Sequence, residues 1–551
     1  GVEAQYEPIP DKQTDEGEDE PEYKLPEKPE ALDYVLHPYR NTESFFTKLV
    51  KHYGWRFVVM MSVMYLLVKG VLSSTVGLVR LSYCKKSLKV DGPSCQTMGV
   101  IASTPWAMKG TIGVISDAIP LFGYHKNSYI LLASALGTTS FLVLALSPLQ
   151  SVTSAAIFFM VGNLEIAVTD LLCEGKYAGL MKSKPKSGSS MVSFVWGCCM
   201  VGGLIASCFV GPVADAYNPE VLFWVCIPLA ASVAIPTLLG FLQDEQLPPE
   251  NRGIRLDMIK ENWKLVTLCI LMALVAFCNA MVDYFFFDNH VAQLIFCLSG
   301  STVVSVLSFL WLPRQMACCN FYMFISSVLY VSISGAQDFW FTADQTCVPG
   351  GPSFDYTYYN TYTAIVGSVM AWVGVILFES FFSTWSFRNV FFITTILQVI
   401  AACFDLLIIN RWNVSVGIPD KAFYMFGDAV IGPAIGSIAF MPAVVLTSKL
   451  VHRGLESTTF ALLAGFSNFG GTVSSQIGIF VTKASGVSTT APCNFENLST
   501  LVLVCHCILP LFAVPLVFLL IPNKLMTEPL EDEEPPSTPT SDVAADRPHA
   551  A

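Results

Sequence analysis

Between residues 57 and 522 the chain repeats one pattern, a run of about twenty apolar residues followed by a short polar connection. Each run is long enough to cross a ~30 Å hydrocarbon core as a helix. Fourteen spans are expected, at roughly 57–80, 96–118, 127–147, 150–175, 190–213, 220–243, 264–287, 291–313, 317–341, 360–383, 387–409, 422–448, 457–483 and 499–522. Charged residues make up 13% of the chain and hydrophobic ones 53%, whereas a soluble domain needs about a quarter of its residues charged to cover its surface. Lipid must cover much of this chain. The fold class is therefore all-α integral membrane.

The formal net charge of −12 is carried by the tails. Residues 1–33 hold a net −9 and residues 523–551 a net −5, which leaves about +2 in between. No basic patch of the kind that binds nucleic acid is present. The Pro- and Glu-rich segments 1–45 and 523–551 lack the apolar area that offsets ordering entropy, so both are expected to be disordered. Lysine and arginine bias sets the orientation. With both termini cytoplasmic, the internal loops hold Lys176, Lys182, Lys184 and Lys186, then Arg252, Arg255 and Lys260, then Lys449 and Arg453; the external loops 342–359 and 484–498 hold none. One loop disagrees, since 80–95 falls outside with Arg80, Lys85, Lys86 and Lys89. The sequons at Asn413 and Asn497 fall on the same outer side and are expected to be glycosylated. Cys84, Cys95, Cys347 and Cys493 lie there too, an even number in an oxidising compartment.

A pattern G-x₄-G-G-x₃-S occurs twice, at Gly197, Gly202, Gly203 and Ser207 and again at Gly465, Gly470, Gly471 and Ser475. Small residues on one helix face let backbones approach closely. The offset matches span five to span thirteen, hence spans one to six to spans nine to fourteen. Spans seven and eight then form an inserted pair between two six-helix halves. The domains expected are a half at 57–243, a loop with the inserted pair at 244–316, and a half at 317–522. Six plus six is the build of a transporter that rocks about a central site.

An ionisable residue near the bilayer centre costs roughly 2.5–3.5 kcal/mol on insertion scales. Lys69, Lys109, Asp170, Glu174, Asp283 and Asp338 all lie inside apolar windows, so they must be paired, neutralised or wet. Asp170 and Glu174 are four apart and share a helix face. Such a pair suits a proton acceptor, with a structural tie to a neighbouring lysine as the alternative. Lys109 follows Trp106 by about one turn; it is placed either to grip a carboxylate beside an indole or to pair with Asp170. Lys69 has the same two readings. Asp338, in Gln337-Asp338-Phe339-Trp340-Phe341, sets a carboxylate beside aromatics able to stack a flat nitrogenous ring; an aromatic belt is the bland alternative. No G-x₄-G-K-[ST] loop, metal-ligand spacing or G-x-S-x-G elbow appears in the sequence. No enzyme activity, cofactor or metal site is expected.

The stretch from Pro105, Trp106 and Lys109 through Gly113, Asp117 and Gly123 to Tyr124 resembles the signature of the folate–biopterin transporter family, part of the major facilitator superfamily. Asp170-Leu-Leu-Cys-Glu174 is similar to the acidic motif of that family's fourth helix. A third resemblance joins Gly427-Asp428, Ala439-Phe-Met-Pro442, Gly454-Leu-Glu456 and Asn468-Phe-Gly-Gly471. The chain departs from the family at Lys109-Gly110, where Lys-Pro is usual, and at His125-Lys126-Asn127, where the family is richer in arginine. The inserted spans and acidic tails resemble the kinetoplastid branch, whose cargoes are folate, biopterin and, in some members, S-adenosylmethionine. The resemblance implies a proton-coupled importer of pteridines, folate first, working as a monomer by alternating access. Lys69, Trp106, Lys109, Asp338 and Asn468 would bind substrate, and Asp170 and Glu174 would carry the proton. Gly113, Asp117, Gly123, Asp428 and Glu456 would serve the gates. The plasma membrane is the expected location, with an endosomal or flagellar-pocket membrane as the alternative. An S-adenosylmethionine transporter and a non-transporting receptor or channel on the same scaffold are the rival functions.

Overall fold

The computed structural model describes residues 38–147, 151–183, 188–450, 456–528 and 530. Residues 1–54 and 55–551 form separate compact units. In the first, the described part is helix α1 (Pro38–Tyr53). It covers the last eight residues of the 1–45 stretch expected to lack structure, because Phe45, Phe46, Leu49 and Val50 recur at helical spacing. The remainder of that tail lies outside the described residues.

The second unit is helical. Its first part comprises α2 (Trp55–Leu88), α3 (Gly92–Ala107), α4 (Lys109–Ala118), α5 (Asn127–Leu146), α6 (Val152–Ser183), α7 (Gly188–Ala216) and α8 (Val221–Leu238). Then come α9 (Trp263–Phe285), α10 (His290–Trp311), α11 (Arg314–Leu329), α12 (Ser334–Phe341) and α13 (Thr357–Phe382). The last are α14 (Phe387–Ile409), α15 (Asp420–Leu450), α16 (Glu456–Ala484) and α17 (Leu498–Leu520). Among the described residues eleven helices are long and apolar enough to cross a membrane, or twelve if the bent pair α11–α12 is one span. That is short of the fourteen expected. The two missing windows, 96–118 and 457–483, are helical as α3–α4 and α16. The first is broken at Met108, after Pro105. Both are diluted by polar side chains: Gln96, Ser103 and Lys109 on one, Asn468, Thr472 and Gln476 on the other.

The disputed loop 80–95 is largely helix. α2 runs on to Leu88 and stops where Lys89 turns left-handed, at φ 54°; Asp91 then caps α3, accepting from the Ser94 N–H at 3.0 Å. Arg80 and Lys85 thus belong to a span. Lys85 donates to the Thr342 carbonyl at 2.7 Å. The four cysteines expected on the outer side form two disulfides, Cys84–Cys95 and Cys347–Cys493. Residues 523–528 and Leu530, expected to be disordered, are placed against the bundle instead: the Phe387 N–H donates to the Lys524 carbonyl at 3.1 Å, and Leu530 is buried. The rest of that tail lies outside the described residues.

The repeated glycine motif makes matching contacts in its two copies. Gly202 of α7 lies against Gly70 and the Leu66 carbonyl of α2, and Gly470 of α16 lies against the Phe324 carbonyl of α11. A Cβ at either position would meet backbone. The carbonyl of Ser207 accepts from Thr361 of α13, and that of Ser475 accepts from Gln96 of α3 at 3.0 Å. So α7 packs on α2 and α13, while α16 packs on α11 and α3. The pair α9–α10 packs on α3, α4 and α16.

Between α11 and α12 the chain bends by 42°, and irregular backbone at membrane depth needs partners from elsewhere. Neighbours supply them. Ser474 Oγ donates to the Tyr330 carbonyl at 2.8 Å and accepts from the Ser332 N–H at 2.9 Å. Gln96 donates to the Ser332 carbonyl at 2.7 Å and accepts from the Gly335 N–H at 2.9 Å. The Val331 carbonyl lies 3.0 Å from His506 Nε2.

Candidate substrate-binding site

Asp170, on α6, is 1% exposed and is gripped from two sides. Lys69 Nζ reaches Oδ1 at 2.8 Å and Lys109 Nζ reaches Oδ2 at 2.5 Å. Lys69 sits in a π-helical stretch of α2, Val63–Leu72, of the kind that recurs at functional sites. Lys109 is the first residue of α4, where the Pro105 break places its ammonium against α6. Aromatic faces cover both ammoniums. Lys109 lies 4.7 Å from the Trp106 ring centre, and Lys69 lies 5.3 Å from Tyr65 and 5.1 Å from Trp196. Trp106 is itself fixed: its Nε1–H donates to Asn163 at 3.1 Å, and its carbonyl accepts from Asn468 at 3.2 Å. Glu174, one turn beyond Asp170, lies within reach of the Tyr177 hydroxyl.

Two adjoining cavities of about 290 and 350 Å³ share Arg80, Gln96 and Ser334. The first is walled by Asp338 and Phe339 of α12, Tyr359 and Asn360 of α13, and Tyr424 of α15. The second is walled by Ser103 and Trp106 of α3 and by Asn468, Thr472 and Ser475 of α16. Arg80 has no ion pair or hydrogen bond among the described residues. Its guanidinium packs where a Cβ on Gly99 would stand. Asp338 shares its cavity but accepts from Tyr359 Oη at 2.8 Å instead. A free cation and a carboxylate thus face one space, with three aromatic rings around it. Of the residues expected to bind substrate, Trp106, Asp338 and Asn468 line these cavities; Lys69 and Lys109 do not, being committed to Asp170. Arg80 was missed because the basic run 80–89 reads as a loop. The signal was the helical spacing of Leu81, Cys84 and Leu88, which carries the apolar face past it.

The model of the BT1 family matches residues 69–539. This chain belongs to the BT1 family. It is 24% identical over 459 residues to the folate-biopterin transporter of Synechocystis sp., covering 82% of this chain and 79% of that one. It is 25% identical to probable folate-biopterin transporter 2 of Arabidopsis thaliana, covering 87% of each, and 23% identical to folate transporter 2 of Plasmodium falciparum, covering 78% and 80%. Among solved structures it is similar to a POT family transporter in complex with 5-aminolevulinic acid, with a TM-score of 0.61, 12% identity and 84% and 94% of the chains covered. It is also similar to the nucleoside transporter NupG, with a TM-score of 0.55, 14% identity and 84% and 98% covered. The BT1-family chain therefore has a major-facilitator-type fold. It is a multi-pass membrane transporter, not an enzyme.

The expected gate residues of this BT1-family transporter fall in different places. Asp117 pairs with Lys126 across 3.7 Å at the turn after α4. That turn is tied to the segment before α9: Asp244 accepts from the Lys126 and Asn127 N–H groups at 2.9 and 3.0 Å, and the Leu247 N–H donates to the Gly123 carbonyl at 2.8 Å. Gly123 has φ +85°, and Arg252 occupies the place of a Cβ. Gly113 packs towards Leu171, with a Cβ position 3.7 Å from it. Asp428 lies away from that turn, in α15 near the end that carries Asp420, where it is within hydrogen-bonding reach of Asp405. Glu456 begins α16, but its side chain lies outside the described residues. Of the sequons, Asn497 is exposed. Asn413 is 2% exposed and its amide donates to the Ile418 carbonyl at 3.1 Å and to Asp420 at 2.8 Å. The Asn497 amide donates as well, to the Ser485 carbonyl at 2.7 Å.

Proposed function

We propose that this transporter imports a pteridine, folate first, by rocking two six-helix halves about the Arg80–Asp338 cavity. The observation that carries the reading is an unpaired arginine facing an aromatic-flanked carboxylate across open space. Folate is a dianionic glutamate joined to a flat ring with a hydrogen-bond donor edge, and each end has a partner here. Arg80 takes a glutamate carboxylate, because a guanidinium matches a carboxylate with two parallel donors. Asp338 accepts from the pterin's donor edge while Phe339, Tyr359 and Tyr424 flank the ring. The matching contacts of Gly202 with Gly470 and of Ser207 with Ser475 support two related halves. The α3–α16 and α7–α13 crossings are then the seams that open and close.

Coupling runs through the lysines in this reading. A substrate carboxylate that enters past Trp106 competes for Lys109, and Asp170, or Glu174 beside it, then accepts a proton. The plasma membrane, cytoplasmic termini, a monomeric state and a glycan at Asn497 complete the proposal. It is tested by uptake of labelled folate, biopterin and S-adenosylmethionine, with and without a protonophore, in cells lacking folate uptake. Arg80→Leu should cut folate uptake at least tenfold and spare biopterin, which has no glutamate. Equal folate uptake by wild type and Arg80→Leu at equal surface expression refutes the assignment. Uptake of S-adenosylmethionine alone would transfer the binding role to the carboxylates.

A further inference from the structure

Asp283 lies two residues from the end of α9, in the inserted pair, and no role in the transport cycle above uses it. It is fully buried, 0% exposed. Among the described residues no cation pairs with it. Two amides converge on its Oδ2: Gln476 Nε2 of α16 at 2.7 Å and Asn279 Nδ2 of α9 at 3.2 Å. Gln476 and Asn279 are each 1% exposed. The opposite oxygens are all without a partner, namely Asp283 Oδ1, Asn279 Oδ1 and Gln476 Oε1.

Three buried acceptors at one junction lack donors. A buried acceptor without a donor is costly, and a buried charge without a counter-charge more so. A single proton on Asp283 Oδ1 removes the charge and turns one of the three acceptors into a donor. The helix end adds to the argument, because an anion close to a helix C-terminus meets the negative end of the dipole. The packed neighbours offer no substitute. Cys297 of α10 is the titratable side chain that senses Asp283. Lys109, at the start of α4, is held by Asp170, and Lys483 of α16 is held by Asp91.

We infer that Asp283 is a proton-binding site, separate from the Asp170 cluster, that latches the inserted helix pair to α16. α16 also lines the cavity through Asn468, Thr472 and Ser475, and Thr472 lies one turn before Gln476 on the same helix. The protonation state of Asp283 therefore reaches the cavity wall directly. With the proton bound, α9 and α16 are joined by a neutral network. With it lost, an unpaired negative charge stands between two packed helices and drives them apart.

The test uses purified full-length protein and needs no substrate, so its outcome is independent of the pteridine reading. Thermal unfolding is recorded at pH 6 and pH 9 for wild type, Asp283→Asn and Asp283→Ala. Asparagine keeps the shape and the donor of the protonated acid but cannot ionise. Wild type should lose melting temperature at pH 9, and Asp283→Asn should lose less than half as much while matching wild type at pH 6. Asp283→Ala should be less stable than wild type at pH 6. Infrared difference spectra should show a protonated-carboxyl band in wild type at pH 6 that Asp283→Asn lacks. Asp283→Asn melting well below wild type at pH 6, with no band lost, would mean an ionised carboxylate and would overturn the proposal. Stabilisation of wild type by sodium chloride over choline chloride at pH 9, absent in Asp283→Asn, would also overturn it, in favour of a cation held by the same oxygens.

Discussion

Replacing Asp170 by Asn tests how far the two lysines depend on it. The substitution keeps the volume and removes the charge, leaving Lys109, 8% exposed, and Lys69, 20% exposed, facing each other across a neutral amide. Breaking a buried ion pair from one side costs about 3–5 kcal/mol, chiefly because the stranded charge has lost its partner. Both ammoniums here keep an aromatic face, so the lower half of that range, about 3–4 kcal/mol, is expected. That is a large part of a typical stability of about 5–15 kcal/mol. One kcal/mol moves the melting point of a 150–250-residue protein by about 2–4 °C, and a longer chain by less. A fall of about 4–8 °C in a detergent-solubilised melt follows. The double variant Asp170→Asn/Lys109→Gln removes the more buried charge along with the carboxylate. It should recover at least about 1.5 kcal/mol of the loss, since residues in one ion network are non-additive by about 0.5–3 kcal/mol. A single variant that melts within 1–2 °C of wild type (about 1 kcal/mol or less), or a double variant whose loss is the simple sum, would refute the closed lysine–aspartate–lysine network.

Gly99→Ala should act on Arg80 without touching its chemistry, because the new methyl group takes the space of the guanidinium. Folate uptake should fall at least tenfold, while Gly197→Ala, where nothing lies within 4 Å of a Cβ, should transport normally. A second expectation concerns acid. Asp91 pairs with Lys483 and joins the start of α3 to the end of α16. Burial opposes its charge, but the Lys483 ammonium and the Ser94 hydrogen bonds prevail and hold its carboxyl below the ordinary value. An unfolded aspartate titrates near about 3.9, so the contribution of Asp91 is complete above that pH and is lost as pH falls through the folded value. Asp91→Asn should therefore melt below wild type at pH 6, by a gap that is smaller at pH 3. A constant gap at both pH values would show that the carboxylate is not the stabilising group.

Much of the bundle was legible in the chain because lipid imposes a simple rule on sequence: about twenty apolar residues for each crossing. That rule also explains where the reading fell short. α3–α4 and α16 carry the polar walls of the cavity, and such helices are the ones an apolarity count scores lowest. The glycine repeat was visible because close helix crossings require Gly at fixed offsets, and Gly202 and Gly470 sit at such crossings. The charges at 69, 109, 170, 283 and 338 were conspicuous for the same reason that they matter, the cost of placing them in an apolar window.

Partner choice was a different matter. Asp170 with Glu174 four residues on reads as a carboxylate pair, since sequence displays neighbours along one helix. The ammoniums that hold Asp170 arrive from residues 101 and 61 positions away. Arg80 was hidden by its setting, a basic run that resembles a loop until α2 is seen to continue to Leu88. Asn413 matches a glycosylation signal in three letters, while its hydrogen bond to Asp420 seven residues later is visible in the fold alone. By itself the sequence determined what must be buried, since transfer into lipid is a property of each residue and its window. Which charge meets which, and which one is left without an ion pair among the described residues, was decided by the tertiary structure, because pairing energy depends on distances across helices that no local pattern records.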